Sequence, residues 1–211
     1  MSLITTTMKE PASIKKTGRP LSFDRDAALQ KAMLAFWRHG YETTSVSELT
    51  HAMGITAPSL YAAFGDKQRL FLEAMRLYAG SPYELDAALA EAPTARAAAQ
   101  RMLYAAAKAF TADAMPKGCL LASATASGSA ASADVQKEVA NIRRDIQQRL
   151  QRRIEQDITE AILPAGTDST ALAALVIALI QGMSVLARDG AAEQSLVPMI
   201  DIALTAWPIA C

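Results

Sequence analysis

Cysteine and histidine are scarce in this chain: two of each in 211 residues, Cys119 and Cys211, His39 and His51. That is too few for a disulfide framework, and their spacing matches no metal-ligand pattern, so neither a disulfide scaffold nor a metal centre is expected. Aromatic residues are only 6% of the chain although 51% is hydrophobic. A core made mostly of Ala and Leu favours helices packed closely on helices over a sheet, so the expected fold class is all-α. Long hydrophobic runs are missing as well. The N-terminus lacks the apolar centre of a secretory signal, and the longest apolar run, Ala171 to Ile180, falls short of a bilayer span. The expectation is a soluble, cytoplasmic protein without a membrane partner. No Ser/His/Asp set, carboxylate pair or metal constellation is visible, which argues against an enzyme and against a cofactor.

Net charge is absent too, with twenty-one basic and twenty-one acidic residues. Its distribution is uneven. Residues 1–80 carry ten basic and seven acidic side chains and residues 81–211 carry eleven and fourteen, +3 against −3. The excess lies in residues 1–22, where Lys9, Lys15, Lys16 and Arg19 face only Glu10. With Pro11, Gly18 and Pro20 and no apolar period, this segment reads as a mobile basic arm. It is either an ordinary solvated terminus or an arm whose Lys15, Lys16 and Arg19 settle on phosphate or in a minor groove.

What is present is a series of helical periods with clear start and stop signals. Leu29, Ala32, Met33, Phe36 and Trp37 recur at helical spacing up to His39, with Ser22 or Asp24 as cap and Gly40 as stop. Thr44 or Ser45 caps a short second helix that carries Val46, Leu49 and Met53, with Ser45 and Glu48 spaced for a capping box and Gly54 suited to the left-handed residue after its end. A third helix starts at Thr56, with Ile55 and Leu60 as a hydrophobic staple and Pro58 in the first turn, where its missing N–H is not needed. Leu60 and Phe64 face inward, Pro58 and Ala62 outward, and Ser59 and Tyr61 lie on the flanks. Gly65 ends this helix, and Asp66 caps a fourth that continues through Leu70, Phe71, Ala74 and Tyr78.

Two short helices joined by a Gly-containing turn, the second with a small outer face, meet the needs of a helix-turn-helix. The recognition helix must enter a major groove about 12 Å wide, so its outer face cannot be bulky. A compact helical core whose short helices only pack would show the same periods.

The segment from Phe23 to Tyr78 also resembles the DNA-binding domain of the TetR/AcrR family of bacterial repressors. Gly40, Tyr41, Thr44, Ser45, Val46, Leu49, Gly54, Ile55, Thr56, Ser59, Leu60, Tyr61, Phe64, Lys67 and Leu70 fit its pattern in register. The resemblance implies a homodimer on a double-stranded DNA operator, with a small-molecule inducer bound by a variable helical second domain. It implies a phosphate contact for Thr44, through its hydroxyl or backbone N–H. Thr56, Ala57, Pro58, Ser59, Tyr61 and Ala62 belong to the recognition helix, where the Tyr61 phenol is expected on a phosphate. Lys67, at the positive end of the fourth helix, adds another such contact. Ala63 departs from the family, which often has Tyr or His there. No Arg, Asn or Gln is available on this helix for bidentate base contacts, so thymine methyls, DNA shape and the basic arm are expected to carry the readout. The domain division is a flexible arm at 1–22, a helix-turn-helix domain at 23–68, and a ligand-binding and dimerisation domain at 69–211.

In the second domain, residues 83–113 read as Ala-rich helices broken near Pro93, and the stretch CLLASATASGSAASA as a short buried helix and loop or a ligand-pocket wall. Leu103, Phe110, Cys119 and Met183 are the candidate ligand contacts. Lys117, Gly118, Cys119 and Leu120 are similar to a Gly-Cys segment of some family members that sense oxidants or electrophiles, while a lone cysteine in an apolar run also reads as inert core. Asp134 to Ile162 is a long amphipathic helix whose Arg143, Arg144, Arg149, Arg152 and Arg153 read as a solvated face. Ser169 to Ala187 and Leu196 to Trp207 are apolar helices that either fill a monomer core or pair across a two-fold axis. The competing functional classes are a small-molecule-binding dimer without operator function and a thiol-based sensor.

Overall fold

A computed structural model describes residues 23–124 and 133–208, and among these the secondary structure is helical throughout, in ten helices. The arm with Lys15, Lys16 and Arg19 lies outside the described residues. Helix α1 spans Arg25–His39, capped by the Asp24 carboxylate on the N–H groups of Asp26 and Ala27. Helix α2 spans Val46–Met53 with the Ser45/Glu48 capping box formed in both directions, and Gly54 follows in the left-handed conformation. Helix α3 spans Ala57–Phe64 behind the Thr56 cap, and α4 spans Lys67–Ala79 behind Asp66.

Phe36, Leu49, Leu60, Leu70 and Phe71 fill the space between these four helices and are almost wholly buried. Each such side chain contributes about 1.5–3 kcal/mol relative to exposure. Phe36 and Phe71 meet edge to face at 4.9 Å. Arg25 ties the ends of the domain together: its guanidinium lies 4.4 Å from the Phe64 ring centre, donates to Ala63 O and pairs with Glu73 at 2.6 Å. The division at residue 68 falls inside α4, one unbroken helix that leaves the DNA-binding part and packs on the second.

The second part consists of α5 (Pro82–Glu91), α6 (Ala95–Thr111), α7 (Leu120–Ser123), α8 (Ala133–Thr159), α9 (Ser169–Arg188) and α10 (Glu193–Leu204). Helix α6 packs on α8, α9 and α10, while α4 packs on α7 and α8. The break near Pro93 separates α5 from α6, and Thr94 caps the latter. Gly118, with φ of +77°, brings the chain against α9 so closely that a Cβ there would sit 2.7 Å from Ser184 O. No side chain fits this passage.

Two expectations need correction. The arginines of α8 do not form one solvated face: Arg153 is buried and pairs with the fully buried Asp157 on the next turn. Its Nε and Nη2 donate to Leu89 O and Ala92 O, both at 3.1 Å, while Asp157 accepts from Ala95 N at 2.7 Å. The pair thus satisfies backbone groups at the end of α5 and the start of α6 that helix geometry leaves open. Arg149 bridges Asp145 and Asp86, and Arg143 donates to Leu121 O. The second correction concerns α9. Scattered Ser, Thr and Gln do not interrupt its hydropathy, so it is twenty residues of helix, long and apolar enough by length and composition to cross a bilayer. Only about a third of it is buried. Its outward side carries Ala171, Leu175, Ala178, Gly182 and Val185 at alternating steps of four and three, the period of a helix-pairing seam.

Candidate nucleic-acid interface

The outer surface of α3 is built from its register. With Leu60 and Phe64 locked in the core, 3.6 residues per turn force Thr56, Pro58, Tyr61 and Ala62 into solvent, with Ala57 and Ser59 half-buried at the margin. Tyr61 is 50% exposed, so its phenol is available to a partner. Thr56 Oγ1 accepts from Ser59 N at 3.3 Å and lies 2.9 Å from Ser59 Oγ, so the two hydroxyls form one polar cluster at the start of the helix. The N–H groups of this first turn add partial positive charge.

Lys67 stands beside the same surface. Its ammonium group lies 4.7 Å from the centre of the Tyr41 ring and donates to Glu42 O at 3.4 Å. Partial burial lowers its pKa, opposed by Glu42 and Glu48. The carboxylate of Glu48 is held below its ordinary value chiefly by the Ser45 N–H and hydroxyl. Tyr41 thereby sets the position of a cation near the start of α2.

Thr44 departs from expectation. Its side chain is fully buried, and its hydroxyl donates to Gly40 O at 2.6 Å. The hydroxyl closes the loop between α1 and α2, and because the whole residue is covered, neither of the two groups suggested for phosphate contact reaches the surface. Sequence reasoning also passed over Ser47, Thr50 and His51, which line an open cleft with Thr56 between α2 and α3. Their position three and four residues apart on one helix face was the available signal. Ala63, the departure from the family pattern, offers its carbonyl to Arg25 inside the domain.

The four ligand candidates do not line a common cavity. Leu103, Phe110, Cys119 and Met183 are all buried within the packed core, where buried alanines of α6 and α9, such as Ala99, Ala107 and Ala173, let the helices approach closely. A cavity of about 400 Å³ opens elsewhere, between the end of α4, the start of α5 and the middle of α8, with Pro82, Leu85, Ile142 and Ile146 as apolar walls and Arg76 and Asp145 as charged ones. Cys119 has polar neighbours: its N–H donates to Ser184 Oγ at 2.7 Å, and the Tyr78 phenol and Arg143 lie close by. Burial is the main cause of a raised Tyr78 pKa.

A short capped helix, a glycine turn and a second helix with a narrow polar and methyl-bearing outer face define a helix-turn-helix DNA-binding protein. Residues 28–74 match the family model for bacterial regulatory proteins of the tetR family, and residues 97–198 match the tetracyclin repressor-like C-terminal domain. The chain is 36% identical over 197 residues to the HTH-type transcriptional repressor ComR of Escherichia coli (strain K12), covering 92% of this chain and 93% of that one. A shorter similarity, 42% over 64 residues, 30% of this chain and 32% of the relative, links it to the repressor BdcR of the same organism. Among solved structures it is similar to a cysteine mutant of the TetR family regulator CifR complexed with 26bp double-strand operator DNA, with TM-score 0.85 and 38% identity over 90% of this chain and 100% of that one. The reduced form of E. coli NemR shares the fold at TM-score 0.76 and 18% identity, covering 88% and 97%. The chain belongs to the TetR family of DNA-binding transcriptional regulators.

Proposed function

We propose that the protein is a cytoplasmic repressor that binds a pseudo-palindromic operator as a homodimer and is released by a small molecule. The observation that carries the reading is the outer face of α3, where Thr56, Pro58, Tyr61 and Ala62 are exposed together beside Lys67. Tyr61, Lys67 and the backbone N–H groups at the helix starts hold phosphates, Thr56 and Ser59 supply short polar contacts, and Pro58, Ala57 and Ala62 meet thymine methyls. The arm residues Lys15, Lys16 and Arg19 add charge for a minor groove. Specificity then rests on DNA shape and methyl groups rather than on bidentate base pairs.

The apolar outward stripe of α9, with Leu175 and Val185, and the exposed Ile202 of α10 support pairing of two copies. Gly182 strengthens this argument, because a Cβ there meets nothing inside the protomer. A mid-helix glycine costs about 1 kcal/mol relative to alanine, and close approach of a second helix gives it a use. Pairing spaces two α3 helices one DNA turn apart. An inducer bound between α4, α5 and α8 favours the geometry that does not fit DNA, and α4 carries the change because it belongs to both parts.

The test is fluorescence anisotropy of the purified protein on labelled DNA flanking its own coding region, against shuffled DNA of equal length. Saturable preference for the flanking DNA that weakens steeply with salt is expected. Equal, salt-independent binding of both would instead support a ligand-binding dimer without operator function. A second reading, response through Cys119, is favoured by the Tyr78, Arg143 and Ser184 neighbours of this residue. Its 5% exposure restricts that chemistry to small oxidants. Cys119→Ser with an unchanged peroxide response on the operator would remove it.

A further inference from the structure

A cavity of about 550 Å³ lies at the seam between the two parts of the molecule; it shares no lining residue with the α4–α5–α8 cavity, although both draw on the last turn of α4. Met33, Leu34 and Trp37 of α1 form one wall, with the exposed Gln30 at its edge, Leu77 and Tyr78 of α4 another, and Met115 beyond the end of α6 the third. Its size lies within the range of small-molecule sites, about 300–1,000 Å³. Leu77 and Met115 are exposed large apolar side chains at its rim, 42% and 38% accessible. Among the described residues no Asp, Glu, Lys, Arg or His lines it. A charged guest would lose its water here without a counter-ion.

The polar groups on this wall are unequally served. The Tyr78 hydroxyl lies beside Cys119 and the Leu120 backbone, and the Tyr78 and Trp37 rings meet edge to face at 4.9 Å. Trp37 is 6% exposed, and its indole N–H is buried with no hydrogen-bond partner among the described residues. An unpaired buried donor costs about 1–3 kcal/mol, so an acceptor brought into the cavity recovers free energy that the empty protein forgoes. Methionine side chains adapt their shape at small cost and are polarisable against aromatic rings. Met33 and Met115 can therefore admit a flat guest and let its acceptor reach the covered Nε1–H.

We propose that this seam cavity is a binding site for an uncharged, planar aromatic molecule of about two fused rings that carries one hydrogen-bond acceptor, which the Trp37 N–H engages. The guest stacks among Trp37, Tyr78 and the two methionines and joins α1 and α4 to the end of α6. A guest there alters the angle at which the first four helices are carried. That regulatory consequence rests on the operator-binding reading, whereas binding itself does not.

The probes are quinoline, uncharged at pH 7.5 with one ring nitrogen as acceptor, and naphthalene, its isostere without one. The chain has two tryptophans, Trp37 and Trp207, so ¹⁵N-tryptophan labelling gives two indole N–H signals, assigned by loss of one in Trp37→Phe. Quinoline is expected to move the Trp37 signal downfield in a saturable manner and leave Trp207 in place, while naphthalene binds about tenfold more weakly, one hydrogen bond's worth. Ala109→Leu, at an exposed position on the cavity lining, narrows the space without touching the core and raises the midpoint of the quinoline shift. No movement of the Trp37 signal at millimolar quinoline, equal affinity for both probes, or an unchanged midpoint in Ala109→Leu would each overturn the site. Quinoline binding that leaves operator affinity unchanged overturns the regulatory consequence alone, and absent operator binding with an intact Trp37 shift refutes the repressor reading alone.

Discussion

Replacing Asp157 by Ala tests the energetics of the second domain most directly. In the folded protein Arg153 is 8% exposed and its charge is balanced within the core by Asp157. Removing the carboxylate leaves a buried guanidinium whose remaining partners are the neutral carbonyls of Leu89 and Ala92. Breaking a buried pair from one side costs about 3–5 kcal/mol. The Ala95 N–H at the start of α6 also loses its acceptor, worth about 1 kcal/mol or more. The expected loss is therefore about 4–6 kcal/mol, a shift of roughly 2 M in a urea midpoint at a slope of about 2–3 kcal/mol/M. Arg153→Met combined with Asp157→Ala removes both charges, so the double variant should lose less than the sum of the single variants by at least about 2 kcal/mol. Urea unfolding followed by circular dichroism, at one fixed protomer concentration because self-association adds stability, measures all four proteins. A loss below about 1 kcal/mol in Asp157→Ala, or strict additivity in the cycle, would show that the pair is solvated and that the account of α5, α6 and α8 is wrong.

Three further outcomes follow from the same geometry. Tyr61→Phe and Lys67→Ala should each weaken operator binding by about five- to tenfold, one hydrogen bond's worth, and Lys67→Ala should also reduce the salt slope by about one; anisotropy titrations at several salt concentrations would expose a failure as unchanged affinity and slope. Gly182→Leu should leave the helical content of the protomer intact, since open space surrounds the position, yet lower the sedimentation-derived dimer fraction at micromolar concentration; a dimer as tight as the parent would place the interface elsewhere. Glu48 has a depressed pKa when folded, so its contribution is present above the ordinary carboxylate value of 4.5 and is lost as pH falls through the folded value; Glu48→Gln should narrow its melting-temperature deficit below that window, and a deficit independent of pH would contradict the capping box.

Much of the DNA-binding part was legible because its determinants are local. Ser45 with Glu48, Gly54, Thr56 with Pro58, and Asp66 mark helix ends through bonds that span three or four residues, and the structure forms each of them. Leu60 and Phe64, four apart, then fix the direction of every other side chain on α3. Thr44 was misread because its partner, Gly40 O, depends on how the loop before α2 folds. A threonine beside a helix start reads the same whether its hydroxyl points out or in.

The second domain was less legible for the same reason at longer range. Arg153 looked like one more solvated arginine until α5 and α6 closed over it, and its partners lie 61 and 64 residues away in the chain. Leu103, Phe110 and Met183 looked fit to line a pocket, and close helix packing made them core. The sequence by itself determined the all-α class, the capped ends of the first four helices and the outer face of α3, since helical period and capping are short-range properties of the chain. Only the tertiary structure decided which charges are buried, where cavities remain and that the Trp37 N–H has no described partner, because these depend on packing between segments far apart in sequence.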